Sequence, residues 1–218
     1  MGRFLVAAFA FACLGRAGDY YAGGVAGLST LSADGRSIVS EAESHASLYK
    51  PGNGSAVNLF LGRYLGNYVA VQGNFIWNAN DLTFTSTTAA PEGASFYSQT
   101  RSSSQSASTG DLLIYFRDRS SRIRPYLSAG VGLIHLGSSQ QKIDFISGSP
   151  VVPPTAFSAN IAGLRVAVGM DVKLVHGFSF RYSFSETISS DPLSDQLSPP
   201  GQRGLKNFQN LWGVLKSF

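Results

Sequence analysis

The sequence has little charge, almost no cysteine and no long apolar run after its N-terminus. Charged residues make up 14% of the 218 residues, against about 25% in typical soluble domains. The single cysteine, Cys13, lies in the N-terminal apolar segment, so a chain without that segment could form neither a disulfide nor a cysteine-ligated metal site. No later segment has 18 consecutive apolar residues, so the sequence predicts no transmembrane helix there.

Clusters of chemically active residues are also scarce. The formal net charge is +4, but the basic residues are scattered and form no run or aromatic-basic patch of the kind that binds nucleic acid. His45 has Glu41 and Glu43 nearby, yet this polar stretch is more typical of a solvated loop than of a metal site. We therefore expect no nucleic-acid partner, no metal and no cofactor.

The N-terminus has the pattern of a secretory signal peptide. Arg3 precedes an apolar run over residues 4–14, and the small residues Gly15 and Ala17 follow it. The run is too short to span a bilayer as a helix, which needs about 20 residues. The sequence thus predicts a signal peptide over residues 1–17 and one domain over residues 18–218.

The remaining chain is dominated by alternation of apolar and polar residues. Mean hydropathy is only +0.05, because the apolar residues are finely interleaved with polar ones. Residues 68–80 show this well: Val69, Val71, Phe75 and Trp77 share one face, and Ala70, Gln72, Asn74 and Asn78 share the other. Eight such segments can be read, at 19–31, 55–64, 68–80, 111–117, 125–135, 159–173, 178–187 and 208–218.

The connections between these segments alternate in length. Short turns lie at 65–67, 119–122 and 175–177, and long loops at 32–54, 81–110, 136–158 and 188–205. The Ser- and Thr-rich stretches 83–88 and 102–109 still partly alternate, so they are candidates for strands prolonged beyond a membrane. The pattern predicts an eight-stranded antiparallel up-and-down transmembrane β-barrel, with short turns on one rim and long loops on the other.

The two faces of the predicted strands differ in the sense expected for a membrane barrel. The outward residues are large and apolar and the inward ones small or polar, whereas a soluble barrel places its bulk inside. By the same alternation, Gly169 faces inward. Gly169→Ser should therefore be tolerated, because a hydroxyl can find hydrogen-bond partners in the lumen. A turn centred on Gly66 would pair Tyr64 with Tyr68, both on the inward face.

Four charged residues are predicted to face the lumen. They are Arg165, Asp171, Lys173 and Arg181, and a turn centred on His176 places Asp171 opposite Arg181 on the neighbouring strand. Charges in a narrow lumen must be paired or hydrated. This cluster indicates either a polar plug or, as an alternative, a gated pore. Lys173 is near the rim, where water can solvate it.

His135, which faces outward at the long-loop end of its strand, is a candidate for an enzymatic role. Barrels that deacylate lipids place a serine two residues after such a histidine. Here that position is Gly137, so the nucleophile is missing.

Two segments resemble the OmpA-like (opacity/porin-type) outer-membrane β-barrel family. Residues 124–133 are similar to the family's fifth strand, and residues 210–218 are similar to its last strand, although Lys216 replaces an apolar or aromatic residue. The resemblance implies that Trp212, Val214 and Phe218 form a C-terminal signal for the outer-membrane insertion machinery.

The resemblance implies a non-enzymatic integral outer-membrane protein with a structural or surface-interaction role. The alternatives are a narrow porin-like channel for small solutes and, less favoured, a lipid-modifying enzyme. Expected partners are outer-membrane lipids, lipopolysaccharide, the insertion machinery and an extracellular partner of the long loops. We expect a monomer with both termini facing the periplasm.

Overall fold

The computed structural model describes residues 19–91, 93–150, 154–197 and 199–218. The predicted signal peptide lies outside these residues. The described part forms ten strands and one short 3-10 turn (Ser194–Gln196). The strands are β1 (Tyr20–Leu31), β2 (Asp34–Val39), β3 (Ser44–Pro51), β4 (Gly54–Tyr64), β5 (Val69–Ala90), β6 (Gly93–Tyr115), β7 (Ile123–Ser147), β8 (Ala156–Lys173), β9 (Phe178–Ser190) and β10 (Gly204–Ser217). Within the described residues, no helix is long and apolar enough to cross a membrane.

Eight of these strands form a closed antiparallel ring. β1 pairs with β10 on one side and with β4 on the other, and β4 to β9 each pair with the next strand in the chain. Closure lets the backbone groups of the first and last strands hydrogen-bond to each other, as a sheet surrounded by hydrocarbon requires. The predicted eight-stranded up-and-down barrel is thereby confirmed.

Most of the predicted long loops are strands. β5 and β6 pair continuously from Val69↔Ile114 to Ala90↔Gly93, so the stretch predicted as loop 81–110 is a prolonged hairpin. The first long loop is a second hairpin, which β2 and β3 form. β2 extends β1, while β3 leads into β4 and pairs with the far half of β5. The prolonged strands that the partial alternation of 83–88 and 102–109 suggested are confirmed, whereas the β2–β3 hairpin was not predicted from the sequence.

The outward face is apolar, as predicted. On β8, for example, Leu164, Val166 and Val168 are exposed, whereas the alternate residues Arg165 and Ala167 are buried. A surface of this kind is stable only against an apolar medium, because such large contiguous apolar patches are avoided on soluble monomers.

The inward face corrects one expectation. It is not restricted to small or polar residues, because large aromatic and apolar side chains fill the lumen near the short-turn rim. This cluster contains Tyr21, Val25, Ala56, Phe60, Tyr64, Ala70, Leu113, Tyr115, Tyr126, Leu211 and Leu215. The inward glycines leave room for these rings, and the lumen is therefore packed rather than open.

The short turns fix the register of the barrel. Phe116 donates its backbone N–H to Pro125, and Leu174 donates to Phe178, as the turns predict. The turn after β4 differs: Tyr64 pairs with Ala70. Tyr68 is 52% exposed and is not an inward residue, because the turn extends one residue further than its sequence indicates.

The opposite rim is closed by the segment that follows β9. Leu193 and Leu197 are buried in a second apolar cluster with the inward residues Leu31, Tyr49, Leu82, Phe84, Leu136 and Leu205. Ser194 Oγ donates a 2.6 Å hydrogen bond to Asp34 Oδ2 at the base of β2. This predicted loop therefore folds inward over the barrel mouth instead of projecting away from it.

Candidate functional site: the filled lumen

Four of the buried inward charges lie on three strands of the barrel wall. Asp111 belongs to β6, Arg165 and Asp171 to β8, and Arg181 to β9. All four residues are at least 96% buried. Removing such charges from water is costly unless each is paired, so their partners decide whether the arrangement is stable.

Asp171 and Arg181 form a two-pronged ion pair. They are directly opposite each other in the β8–β9 register, which the turn centred on His176 predicts. Arg181 Nε donates to Asp171 Oδ1 at 2.6 Å and Arg181 Nη2 donates to Oδ2 at 2.7 Å. The planar guanidinium matches the carboxylate in this geometry, which is the strongest form of the interaction.

Further groups satisfy the remaining hydrogen-bonding positions of this pair. Arg181 Nη1 donates to Gln72 Oε1 at 2.7 Å, and Nη2 also donates to the Tyr115 hydroxyl at 3.0 Å. The Tyr115 hydroxyl in turn donates to Asp171 Oδ2 at 3.0 Å. The Arg181 guanidinium lies over the rings of Phe60 (4.7 Å) and Tyr126 (4.9 Å), and such contacts stabilise a cation away from water.

Arg165 has a different partner, Asp111, which sequence reasoning did not assign to it. Arg165 Nη1 donates to Asp111 Oδ2 across the intervening strand β7. Between them in the register lies Gly130, which is opposite Asp111 on one side and Arg165 on the other. A Cβ at Gly130 would overlap Asp111. Asp111, Gly130 and Arg165 lie in one inward row across three neighbouring strands. This row is the sequence signal from which the pair could have been predicted.

A chain of hydrogen bonds joins the two ion pairs. Gln72 Nε2 donates to Asn74 Oδ1 at 2.6 Å, and Asn74 Nδ2 donates to Thr109 Oγ1 at 3.2 Å. Thr109 Oγ1 donates to Asp111 Oδ1 at 2.9 Å. Arg181, through Gln72, is therefore connected to Arg165, through Asp111, by one polar network along the barrel axis.

Little free space remains around this network. A cavity of about 10 Å³ lies between Arg165 and Arg181 and is bordered by Val25, Tyr126 and Ser183. This is about the room that one water molecule needs. Among the described residues, this network and the aromatic rings therefore leave little open space in this part of the lumen.

The other site residues from the sequence lie apart from the plug. Lys173 is at the short-turn rim and donates through Nζ to the carbonyl of Arg119. Trp212 and Val214 are outward and exposed on β10, and Phe218 follows it at the same rim. Phe218 donates its backbone N–H to the Tyr20 carbonyl at 3.0 Å, which extends the β1–β10 seam.

His135 lies on the outward face and contacts Asn160 on the next strand, with Nδ1 and Oδ1 2.7 Å apart. The residue two positions further is Gly137, as the sequence shows. No group of three or more potential metal ligands occurs among the described residues.

Comparison with known proteins agrees with this geometry. The family described as outer membrane protein beta-barrel domain matches residues 4–211. The chain belongs to this family. The barrel is accordingly an integral outer-membrane protein, and its apolar outward face is the surface that contacts membrane lipid.

A solved barrel of the outer membrane shares the fold, and two others are similar at lower scores. The crystal structure of Neisserial surface protein A has a TM-score of 0.51 at 13% identity, covering 91% of this chain and 97% of that one. The attachment invasion locus protein Ail of Yersinia pestis, in complex with the heparin analogue sucrose octasulfate, has a TM-score of 0.46 at 12% identity, covering 92% and 99%. OprG of Pseudomonas aeruginosa has a TM-score of 0.45 at 14% identity, covering 93% and 96%. No curated protein sequence matches the chain. At these identities the likeness concerns the fold alone.

Proposed function

We propose that this outer-membrane barrel is a non-enzymatic envelope protein that acts through its long-loop end, by supporting the envelope or by contacting an extracellular partner. The observation that carries the proposal is the plugged lumen. A barrel whose interior is occupied by ion pairs and aromatic rings offers solutes no path, so its functional surface is the part outside the membrane.

The prolonged strands support the proposal. β5, β6 and β7 continue well past the apolar belt, and the outward face of β6 carries Ser or Thr at 98, 100, 102, 104, 106 and 108. A polar pleated surface held on a closed barrel is rigid, so a partner bound there loses little conformational entropy from the protein side.

The proposal includes an orientation and a set of partners. The short-turn rim, with Tyr20 and Phe218 beside it, faces the periplasm after residues 1–17 are removed as a signal peptide. The domain over residues 18–218 then functions as a monomer among phospholipids and lipopolysaccharide. Trp212, Val214 and Phe218 are proposed as the signal that the insertion machinery reads.

The test combines location with orientation. The protein should fractionate with the outer membrane, and unboiled samples should migrate faster on gels than boiled ones because the barrel resists detergent. A protease site inserted after Pro91, between β5 and β6, should be cut on intact cells. The same site placed at Asn67 should be cut only after the outer membrane is permeabilised. The reverse pattern would refute the orientation.

Conductance measurements distinguish the proposed function from the channel alternative. The plug predicts that the purified barrel gives no steady current in planar bilayers, whereas a porin-like channel would conduct. The absence of catalysis is supported by Gly137, which stands where a nucleophile beside His135 would be needed. A lipid-deacylation assay on phospholipid and lipopolysaccharide tests that part, and measurable turnover would refute it.

A further inference from the structure

A second cavity lies at the short-turn rim, outside the plug. It has a volume of about 200 Å³ and is bordered by Tyr64, Arg119, Arg124, Asp171, Lys173, Leu174, Gly177, Phe178, Ser179 and Ser217. Three of these side chains are cationic and one is acidic. The cavity is smaller than the pockets of about 300–1,000 Å³ that hold drug-sized ligands, so it suits a small group.

The charges around this cavity do not balance. Asp171 is already paired with Arg181, and Arg119 is paired with Asp19 at 3.0 Å. Among the residues that the structure describes, no carboxylate lies within ion-pair distance of Arg124 or Lys173.

The neighbouring carboxylate of Asp118 offsets only part of this charge, because it attracts Lys173 but forms no ion pair with it. Asp118 is in the same turn as Arg119, but its Oδ1 accepts hydrogen bonds from Ser120 and Ser121. These bonds lower the pKa of Asp118 and hold it within its own turn. Two cations, Arg124 and Lys173, therefore border one cavity whose acidic residue, Asp171, is already paired with Arg181.

Arg124 is held in place at the wall of this cavity. It is only 3% exposed, and its guanidinium lies over the Tyr115 ring at 3.8 Å and the Tyr64 ring at 5.1 Å. Nη2 donates to the Asn67 carbonyl at 3.0 Å. Its Nε is buried without a hydrogen-bond acceptor. Within the described part of the chain, the charge of this buried guanidinium has no carboxylate partner, and an anion in the adjacent cavity would compensate it.

We propose that this cavity binds a phosphate-type oxyanion, held by Arg124 and Lys173. A rigid guanidinium provides directed hydrogen bonds to such an anion, and a lysine ammonium adds a mobile point charge. Arg119, which is partly neutralised by Asp19, contributes to the field at the entrance. The remaining volume accommodates the small polar group to which the phosphate is attached.

Two sources could supply this anion. The cavity opens beside Leu174 and Phe178, which are exposed on the apolar side of the rim, so a phospholipid headgroup could reach it from the membrane. A phosphorylated solute could equally enter from the aqueous side. Both present the same chemistry to Arg124 and Lys173.

The first experiment titrates inorganic phosphate into the folded barrel in a phosphate-free, non-ionic detergent. Side-chain NMR signals of Arg124 Nε–H and Lys173 Nζ are followed, with chloride at equal ionic strength as reference. Phosphate should shift both signals to saturation. Arg124→Gln and Lys173→Gln should each weaken binding about tenfold or more, since each removes a charge-assisted hydrogen bond. Arg117→Gln, an exposed cation of the same rim that does not border the cavity, should leave binding unchanged.

The second experiment adds a short-chain phosphatidylglycerol to the micelles. If the lipid shifts the same two signals and inorganic phosphate no longer competes, the headgroup is the ligand; if phosphate competes, the ligand is a soluble anion. Either result supports the site. The proposal is refuted if neither probe shifts the signals beyond the chloride reference, or if Arg117→Gln weakens binding as much as Lys173→Gln. Should Arg124→Gln fail to fold, Lys173→Gln at the rim still decides the matter.

Discussion

The ion pair between Asp171 and Arg181 is expected to be strongly coupled in folding. Asp171→Asn leaves Arg181 with Gln72 and Tyr115 but without a compensating negative charge, and arginine cannot release its proton to escape the cost. Breaking a buried pair from one side costs about 3–5 kcal/mol, and we expect a cost of about 4 kcal/mol for this variant. Arg181→Gln should lie at the lower end, because Asp171 keeps the Tyr115 hydroxyl and borders the cavity that also contains Arg124 and Lys173.

The double variant removes both charges, so it should cost less than the sum of the two single variants. With single costs of about 4 and 3 kcal/mol and a double cost of about 4 kcal/mol, the coupling energy is about 3 kcal/mol. Urea unfolding in phospholipid vesicles measures these values. Trp77 and Trp212 are the only tryptophans, and both face outward, so their fluorescence reports loss of the membrane-inserted state.

A second cycle provides the matched control. Glu186 and Lys206 form an outward pair on the neighbouring strands β9 and β10, 3.5 Å apart, and the Lys206 side chain is 54% exposed. The Glu186 side chain is 22% exposed, so solvent still screens the pair and its coupling should not exceed about 1 kcal/mol. If the coupling of Asp171 with Arg181 is no larger than that of the control pair, the account of the plug is wrong. A current through either single variant in planar bilayers would show that the pair gates a channel.

Four further predictions concern the wall, the seam and the closing segment. Val168→Arg should destabilise the barrel in vesicles by about 2–4 kcal/mol, with Val168→Leu as the neutral control; equal stability would mean that Val168 does not face lipid. Contrary to the expectation from alternation, Gly169→Ala or Gly169→Ser should destabilise folding, because a Cβ there overlaps the ring of Tyr126, and wild-type stability of both would contradict this packing. Deleting Phe218 should lower outer-membrane yield in cells more than refolding in detergent, and parallel losses would leave it a structural role only. Burial raises the pKa of Asp191 to about 6, so the folded closing segment binds a proton that the unfolded segment releases near pH 4. The closed form should therefore lose stability as the pH rises from about 4 to about 6. NMR of the segment's amides should show this pH dependence and Asp191→Asn should abolish it, whereas a pH-independent wild type would refute the prediction.

The sequence by itself determined the barrel and its faces. Alternation with a period of two places every second side chain on the same face of a strand, whatever the sheet does later. The apolar residues of β8 and the turn centred on His176 therefore predicted which residues face lipid and the register of Asp171 with Arg181. Local geometry is sufficient for both, because the two strands are neighbours in the chain.

The tertiary structure decided the contacts and positions that alternation along a single strand cannot predict. The pair of Arg165 with Asp111 spans β7, and it exists only because Gly130 leaves space between them. The turn after β4 shifted Tyr68 out of the lumen, since loop length is set by the fit of whole strands. The burial of Leu193 and Leu197 depends on the diameter of a closed ring of eight strands, which no single segment encodes. The unbalanced cations Arg124 and Lys173 likewise meet only because separate strands end at one rim.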